Sequence, residues 1–109
     1  MKLTLNKQQA AAELNITHEF YDELLHDFLN SATTGLDELA AAVSARDLDP
    51  IFRVAHRLKG SAAAVKLEPI RKIALALEIA GHPDRNWTAV RERIDDLKAA
   101  VEELKTLLA

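Results

Sequence analysis

Apolar residues recur at three- and four-residue intervals through almost the whole chain, and a few polar or Gly/Pro breaks divide that pattern into five helical segments. The first begins after Asn6, whose side chain can cap the opening turn while Gln9 reaches back in a capping box, and it ends near Leu14. The second starts at Thr17, with Ile16 and Tyr21 spaced as a hydrophobic staple, and continues through Leu24, Phe28, Leu36, Leu39 and Val43. Gly35 interrupts this pattern without ending it, so one long helix to about Ala45 is expected, bent near Thr33-Thr34-Gly35. Asp47 or Asp49 caps the third, Pro50 falls in its first turn, and the segment runs to about Lys66. The fourth follows Leu67-Glu68-Pro69, covers "IRKIALALEIA" and stops at Gly81, read as a C-cap before His82-Pro83. Ile70, Ile73, Leu75, Leu77 and Ile79 leave it little polar face, which predicts deep burial.

The fifth begins after Asn86, and Trp87, Val90, Ile94, Leu97, Val101, Leu104 and Leu108 alternate at three and four. That spacing suits a coiled-coil seam, but three heptads are the minimum for one, so a long bundle helix is the preferred reading. Short connections between these segments predict an all-α, up-down four-helix bundle with a short additional N-terminal helix, one domain over residues 1–109.

Composition narrows the functions open to such a bundle. An apolar share of 49% suffices for one core, and no repeat or low-complexity stretch appears. A formal charge of −3 with interspersed signs offers no basic stripe, which argues against nucleic acid as a partner. The chain has no cysteine, so disulfides, thiol catalysis and Cys-ligated metals are excluded. "MKLTLNKQQ" lacks the apolar core and cleavage site of a leader, and no apolar run approaches the ~20 residues that span a bilayer. The expectation is a cytoplasmic protein with no membrane partner.

Against that background the stretch "RVAHRLKGSAAAV", Arg53 to Val65, stands out, because a histidine, a lysine and a glycine occur within five residues of a helix. Advancing about 100° per residue gathers Ile51, Val54, Ala55, Leu58, Ala62 and Val65 in one stripe. His56 points roughly 200° away from that stripe, to solvent. Phe52, Arg53, Lys59, Gly60, Ala63 and Ala64 share its face. Gly60 costs roughly 1 kcal/mol relative to alanine in an exposed helix interior and faces no neighbouring helix on this wheel. A functional reading explains it: with Ala63 and Ala64 it leaves the imidazole above a low surface that another protein can approach. Lys59 leaves the same face three residues on and can reach an anion attached to the ring. A neutral exposed histidine is nucleophilic, and a phosphoryl group on it would carry close to two negative charges. No carboxylate lies on this face to act as a general base, and Arg57 follows the histidine directly. The site therefore reads as one that holds a phosphoryl group and passes it on.

"AHRLKGSAAAV" resembles the signature of histidine-containing phosphotransfer (HPt) domains: His, any residue, Leu, Lys, Gly, then small residues. His56, Leu58, Lys59, Gly60 and Ser61 carry the match. "FYDELLHDFL", "ARDLDPIFRVAH", "LALEIAG" and the last amphipathic helix extend it over nearly the whole chain. Lys66 departs from the pattern, since many members place glycine there. The resemblance implies a phosphorelay carrier with His56 as phosphoacceptor, Lys59 as its electrostatic partner and Gly60 as docking clearance. It further implies response-regulator receiver domains and a hybrid sensor kinase as partners, Nε2 as the phosphorylated nitrogen, and Mg²⁺ brought by the receiver. The chain needs no cofactor of its own on this reading, has no nucleotide motif with which to phosphorylate itself, and is expected to be a monomer.

Two rivals stand beside it. One is the phosphoacceptor part of a histidine kinase, disfavoured because Arg57 occupies the place beside the histidine where an acid is common. The other is a helical adaptor whose histidine is incidental.

Phe52, Arg53, Arg57, Ala63 and Ala64 form the candidate docking patch, an aromatic anchor with a basic rim. His18, Asp22 and His26 are spaced as possible metal ligands, but they sit among Glu19, Glu23 and Asp27 as a solvated face does, so no metal is expected. His82 reads as exposed turn, and Trp87 as helix-end packing.

Overall fold

The computed structural model describes residues 3–109; Met1 and Lys2, part of the N-terminus read above as leaderless, lie outside them. All regular structure among the described residues is helical: α1 (Lys7–Glu13), α2 (His18–Ala45), α3 (Leu48–Ala64), α4 (Glu68–Gly81) and α5 (Trp87–Leu108). α2 to α5 form the bundle and α1 lies against α2, the described residues together extending about 42 Å along their longest axis. No described helix is long and apolar enough to cross a membrane.

Four of the five described helices begin where polar caps satisfy backbone donors that have no partner of their own; α4 starts after Leu67 without one, with Pro69 in its first turn. Asn6 accepts from the Gln9 amide at 3.0 Å, Thr17 from Phe20 at 3.0 Å and Asn86 from Ala89 at 3.1 Å. Of the two candidates before α3 it is Asp47 that caps, accepting from the Asp49 amide at 3.1 Å. The capping box on α1 is only half made, because the Gln9 amide turns forward to Glu13 at 3.2 Å.

α3 ends at Ala64, two residues short of the sequence expectation, and it ends without glycine. Lys66 takes φ 63°, its amide donates to Ala63 and the Leu67 amide donates to Ala62, closing a Schellman motif. The buried Tyr21 hydroxyl donates to the Val65 carbonyl at 2.6 Å, and Leu67 is buried just beyond the turn. Those contacts fix the turn, so a lysine occupies a conformation usually left to glycine. Asn15 and Arg46 end α1 and α2 by the same device.

The core draws one stripe from each bundle helix: Leu25 and Leu39, Ile51 and Leu58, Ile70 and Leu77, Leu97 and Leu104, all fully buried. Each such side chain contributes about 1.5–3 kcal/mol of transfer free energy. α2 is continuous through Gly35, which is buried where α2 crosses α3. On α5, Val90, Leu97, Val101 and Leu104 are buried and Trp87, Ile94 and Leu108 half-buried against α2 and α4, so its heptad spacing serves the bundle.

Two expectations for α4 are corrected. Gly81 is the last helical residue and not a left-handed cap, and a side-chain carbon there would stand 3.3 Å from Ile51 Cγ2. It is small because α4 meets α3 closely. Nor is the helix buried throughout: Ile79 is 43% exposed, Leu75 is half-buried, and the one carboxylate among them, Glu78, is only 7% exposed.

Candidate functional site

α3 displays the site because its register is locked from beneath. Ile51, Val54, Ala55, Leu58, Ala62 and Val65 are all buried, as the helical wheel requires, and rotation of the helix would drive that stripe into water. The opposite face carries Phe52, Arg53, His56, Gly60, Ala63 and Ala64 to the surface, with Lys59 at its edge. The His56 side chain is 64% exposed. A carbon added at Gly60 would meet nothing within 4 Å, so the surface one turn beyond the imidazole is open. Phe52, one turn before it, lies 6.0 Å from the imidazole and nearly parallel to it, while His82 from the α4–α5 turn sets its ring edge-on to Phe52 at 6.0 Å.

The sequence reading found no carboxylate on this face; α3 does carry Asp49 there, two turns before the histidine, but it lies beside Arg53 at 3.9 Å and not at the ring. α4 supplies one. Glu78 Oε2 lies 2.6 Å from His56 Nδ1, and Glu78 Oε1 accepts from Lys59 Nζ at 2.8 Å. Burial pushes the Glu78 carboxyl up, but the hydrogen bonds from Lys59 and His56 outweigh it and hold the group below its ordinary value. An ionised carboxylate can only accept, so the contact places a proton on Nδ1 and leaves the Nε2 lone pair of the neutral ring facing outward. Glu78 serves the opposite edge of the ring from Nε2, with one partner on each oxygen. Its contact with the ring is at Nδ1. The signal that could have found it is a lone acid inside the apolar run "IALALEIA", on a helix expected to pack against the histidine's own.

The remaining candidates are divided by the structure. Lys59 is tied to Glu78 beside the ring. Arg57 turns away from the patch to pair with Glu38 of α2 at 3.1 Å. Arg53 stays exposed and loosely paired with Asp49 at 3.9 Å. Trp87 is covered by the Arg46 guanidinium, 5.0 Å from its ring. The His18, Asp22, His26 row forms no ligand cluster. Asp22 pairs with Lys7 at 2.8 Å, His26 donates to the Asp22 carbonyl at 2.9 Å, and no group of three or more such side chains among the described residues could hold a metal ion. A surface groove of about 480 Å³ is lined by Phe52 together with Arg46, Asp47, Arg85 and Trp87, and not by the imidazole.

A helical bundle that offers one imidazole on an open face, with a lysine one turn on, has the layout of a phosphotransfer domain. The family model described as Hpt domain matches residues 23–107, more than three quarters of the chain, and the protein belongs to that family. It is similar to "Multistep phosphorelay regulator 1" of Schizosaccharomyces pombe, 29% identical over 87 residues, which cover 80% of this chain and 27% of that protein. The chain thus spans about a quarter of the length of the relative it matches. No solved structure gives a significant match.

Proposed function

We propose that this chain is a phosphorelay carrier that takes a phosphoryl group onto Nε2 of His56 and gives it up again. The observation that carries the reading is the state of the ring: Nδ1 is engaged by Glu78 at 2.6 Å, while the side chain is 64% exposed and the surface one turn on, at Gly60, is open. The nucleophile is therefore formed and oriented before any partner arrives. In the accepting step the Nε2 lone pair attacks phosphorus of an aspartyl phosphate on a receiver domain. The N–P bond forms, the P–O bond to the aspartate breaks, and its electron pair leaves with the carboxylate. Lys59 sits where its ammonium can share itself between Glu78 and the incoming phosphoryl oxygens.

The partners of this reading are response-regulator receiver domains and a hybrid sensor kinase. Mg²⁺ belongs to the receiver, and the chain acts as a monomeric cytoplasmic intermediate without kinase activity. Phe52, Ala63 and Ala64 supply the apolar centre of the docking face and Arg53 part of its rim, whereas Arg57 contributes at most its outer edge because Glu38 holds it.

The test is incubation with a phosphorylated receiver domain and Mg²⁺, comparing the wild type with His56→Gln and Lys59→Ala. Acid-labile label on the wild type, none on His56→Gln and slowed transfer by Lys59→Ala are expected. Wild-type protein that stays unlabelled across a panel of receivers, yet binds them equally with and without His56, would leave the helical adaptor as the better account.

A further inference from the structure

We propose that Glu78 is a positioning residue that keeps the proton on His56 Nδ1 after the ring is phosphorylated, so that the phosphoryl group stays in its readily transferred form. The proposal rests on the carrier reading and assigns a role to a residue outside the His-Lys-Gly motif.

Its basis is charge bookkeeping around the ring. When Nε2 of the neutral ring attacks phosphorus, no proton leaves, and the product is a cationic ring bearing the phosphoryl group on Nε2 and a hydrogen on Nδ1. If that hydrogen is kept, a second receiver carboxylate can attack phosphorus, the N–P bond breaks and its electrons return to Nε2, giving back the neutral ring. If it is lost to solvent, the group that departs must be an imidazolide anion, a far poorer leaving group. Whether the proton stays is decided by what faces Nδ1.

A buried carboxylate oxygen faces it at 2.6 Å, and that oxygen has no other partner because Lys59 occupies its twin. Loss of the proton would set the Nδ1 lone pair against a carboxylate oxygen, with neither able to donate. Every other group near the ring acts from another side. Lys59 and Arg53 share α3 with it, Arg57 is turned to Glu38 of α2, and His82 meets the far face of the Phe52 cluster from the α4–α5 turn. Among the described residues of α4, Glu78 is the acid that reaches the ring.

The experiment labels the ring with phosphoramidate, a small phosphoryl donor that needs no partner, and follows its two nitrogens by ¹⁵N NMR as pH is raised. Glu78→Gln is the informative variant, because it removes the charge while keeping the size and shape of the side chain; its single amide oxygen cannot serve both Nδ1–H and Lys59. The wild type is expected to hold the Nδ1 proton to a pH about one unit or more above that of the variant, the size of effect an opposite charge in contact exerts. Transfer to a receiver domain should then fall away at lower pH in Glu78→Gln than in the wild type, each rate being read relative to that protein's own acidic plateau.

A comparison that needs no variant is the phosphorylated wild type folded and in urea, where the folded ring should keep its proton to the higher pH. Coincident titrations in either comparison would overturn the proposal. Failure to label His56 at all would instead count against the carrier reading on which it rests.

Discussion

Two glycines sit in the middle of helices in this protein, and they are small for opposite reasons. A side-chain carbon at Gly35 would lie 3.2 Å from Leu58 Cδ1, 3.2 Å from Val54 Cγ1 and 3.3 Å from an Arg57 nitrogen, so α2 can approach α3 only because nothing is there. A carbon at Gly60 would touch nothing within 4 Å. Gly35 is explained by the fold, and the bundle gives no such reason for Gly60. Helix propensity disfavours both by about 1 kcal/mol relative to alanine. Only at Gly60 must the compensation come from outside the molecule, and the imidazole one turn away says where. An unexplained local cost, beside an exposed group with chemistry, is thus a better pointer to function than either feature alone.

Substitutions at the two positions should separate accordingly. Gly35→Leu should destabilise the fold most, by about 1–3 kcal/mol, since the added carbons must displace Leu58 and Val54. Urea unfolding measures it, and unchanged stability would show the α2–α3 contact to be loose. Gly60→Arg should not lower the unfolding midpoint, since arginine is a better helix former than glycine and the position is open, while slowing phosphoryl transfer from a receiver about tenfold, the equivalent of a little over 1 kcal/mol of docking free energy. Its counterpart Gly60→Ala should raise stability by up to about 1 kcal/mol. A Gly60→Arg protein that transfers at the wild-type rate would remove the clearance argument.

Lys66 sharpens the comparison from the other direction, as a place where glycine would fit and is absent. Relief of its left-handed backbone should make Lys66→Gly more stable by about 0.5–1 kcal/mol, because the gain outweighs the added freedom of the unfolded chain. Thermal unfolding would register this as a higher midpoint. The ion pair given up, Lys66 with Glu13 at 3.6 Å, joins two half-exposed groups and is worth little.

The smallest effect is expected in acid. Glu78 is held below its ordinary carboxyl value in the folded state, so its contribution to stability is complete above about pH 4.5 and fades as pH falls through the folded value. The difference in unfolding free energy between wild type and Glu78→Gln should narrow below that pH. A constant difference would mean that the pairing with Lys59 and His56 adds nothing to stability.

The α3 site could be read from sequence because a single helix determines its own faces. Once the apolar stripe from Ile51 to Val65 is recognised, the outward direction of His56 and Gly60 follows. Glu78 could not be read that way. Which face of α4 meets α3, and at what height, depends on packing such as the contact of Gly81 with Ile51, and a single-helix pattern does not contain it. The same limit explains Ile79, apolar in an apolar run yet exposed. Termini were legible where a cap acts within its own turn, as at Asn6, Thr17 and Asn86. They were less so where a distant group decides, as at Val65, whose carbonyl is held by Tyr21 from another helix.

The central claim is that Nε2 of His56, and no other nitrogen, carries the phosphoryl group. Long-range ¹H–¹⁵N NMR of the protein after incubation with a phosphorylated receiver domain tests it directly, since His18, His26, His56 and His82 each report on their own ring. The account requires one phosphorylated ring, His56, substituted at Nε2 with its Nδ1 hydrogen retained. A phosphoryl group on Nδ1 of His56, or on any of the other three histidines, would contradict it.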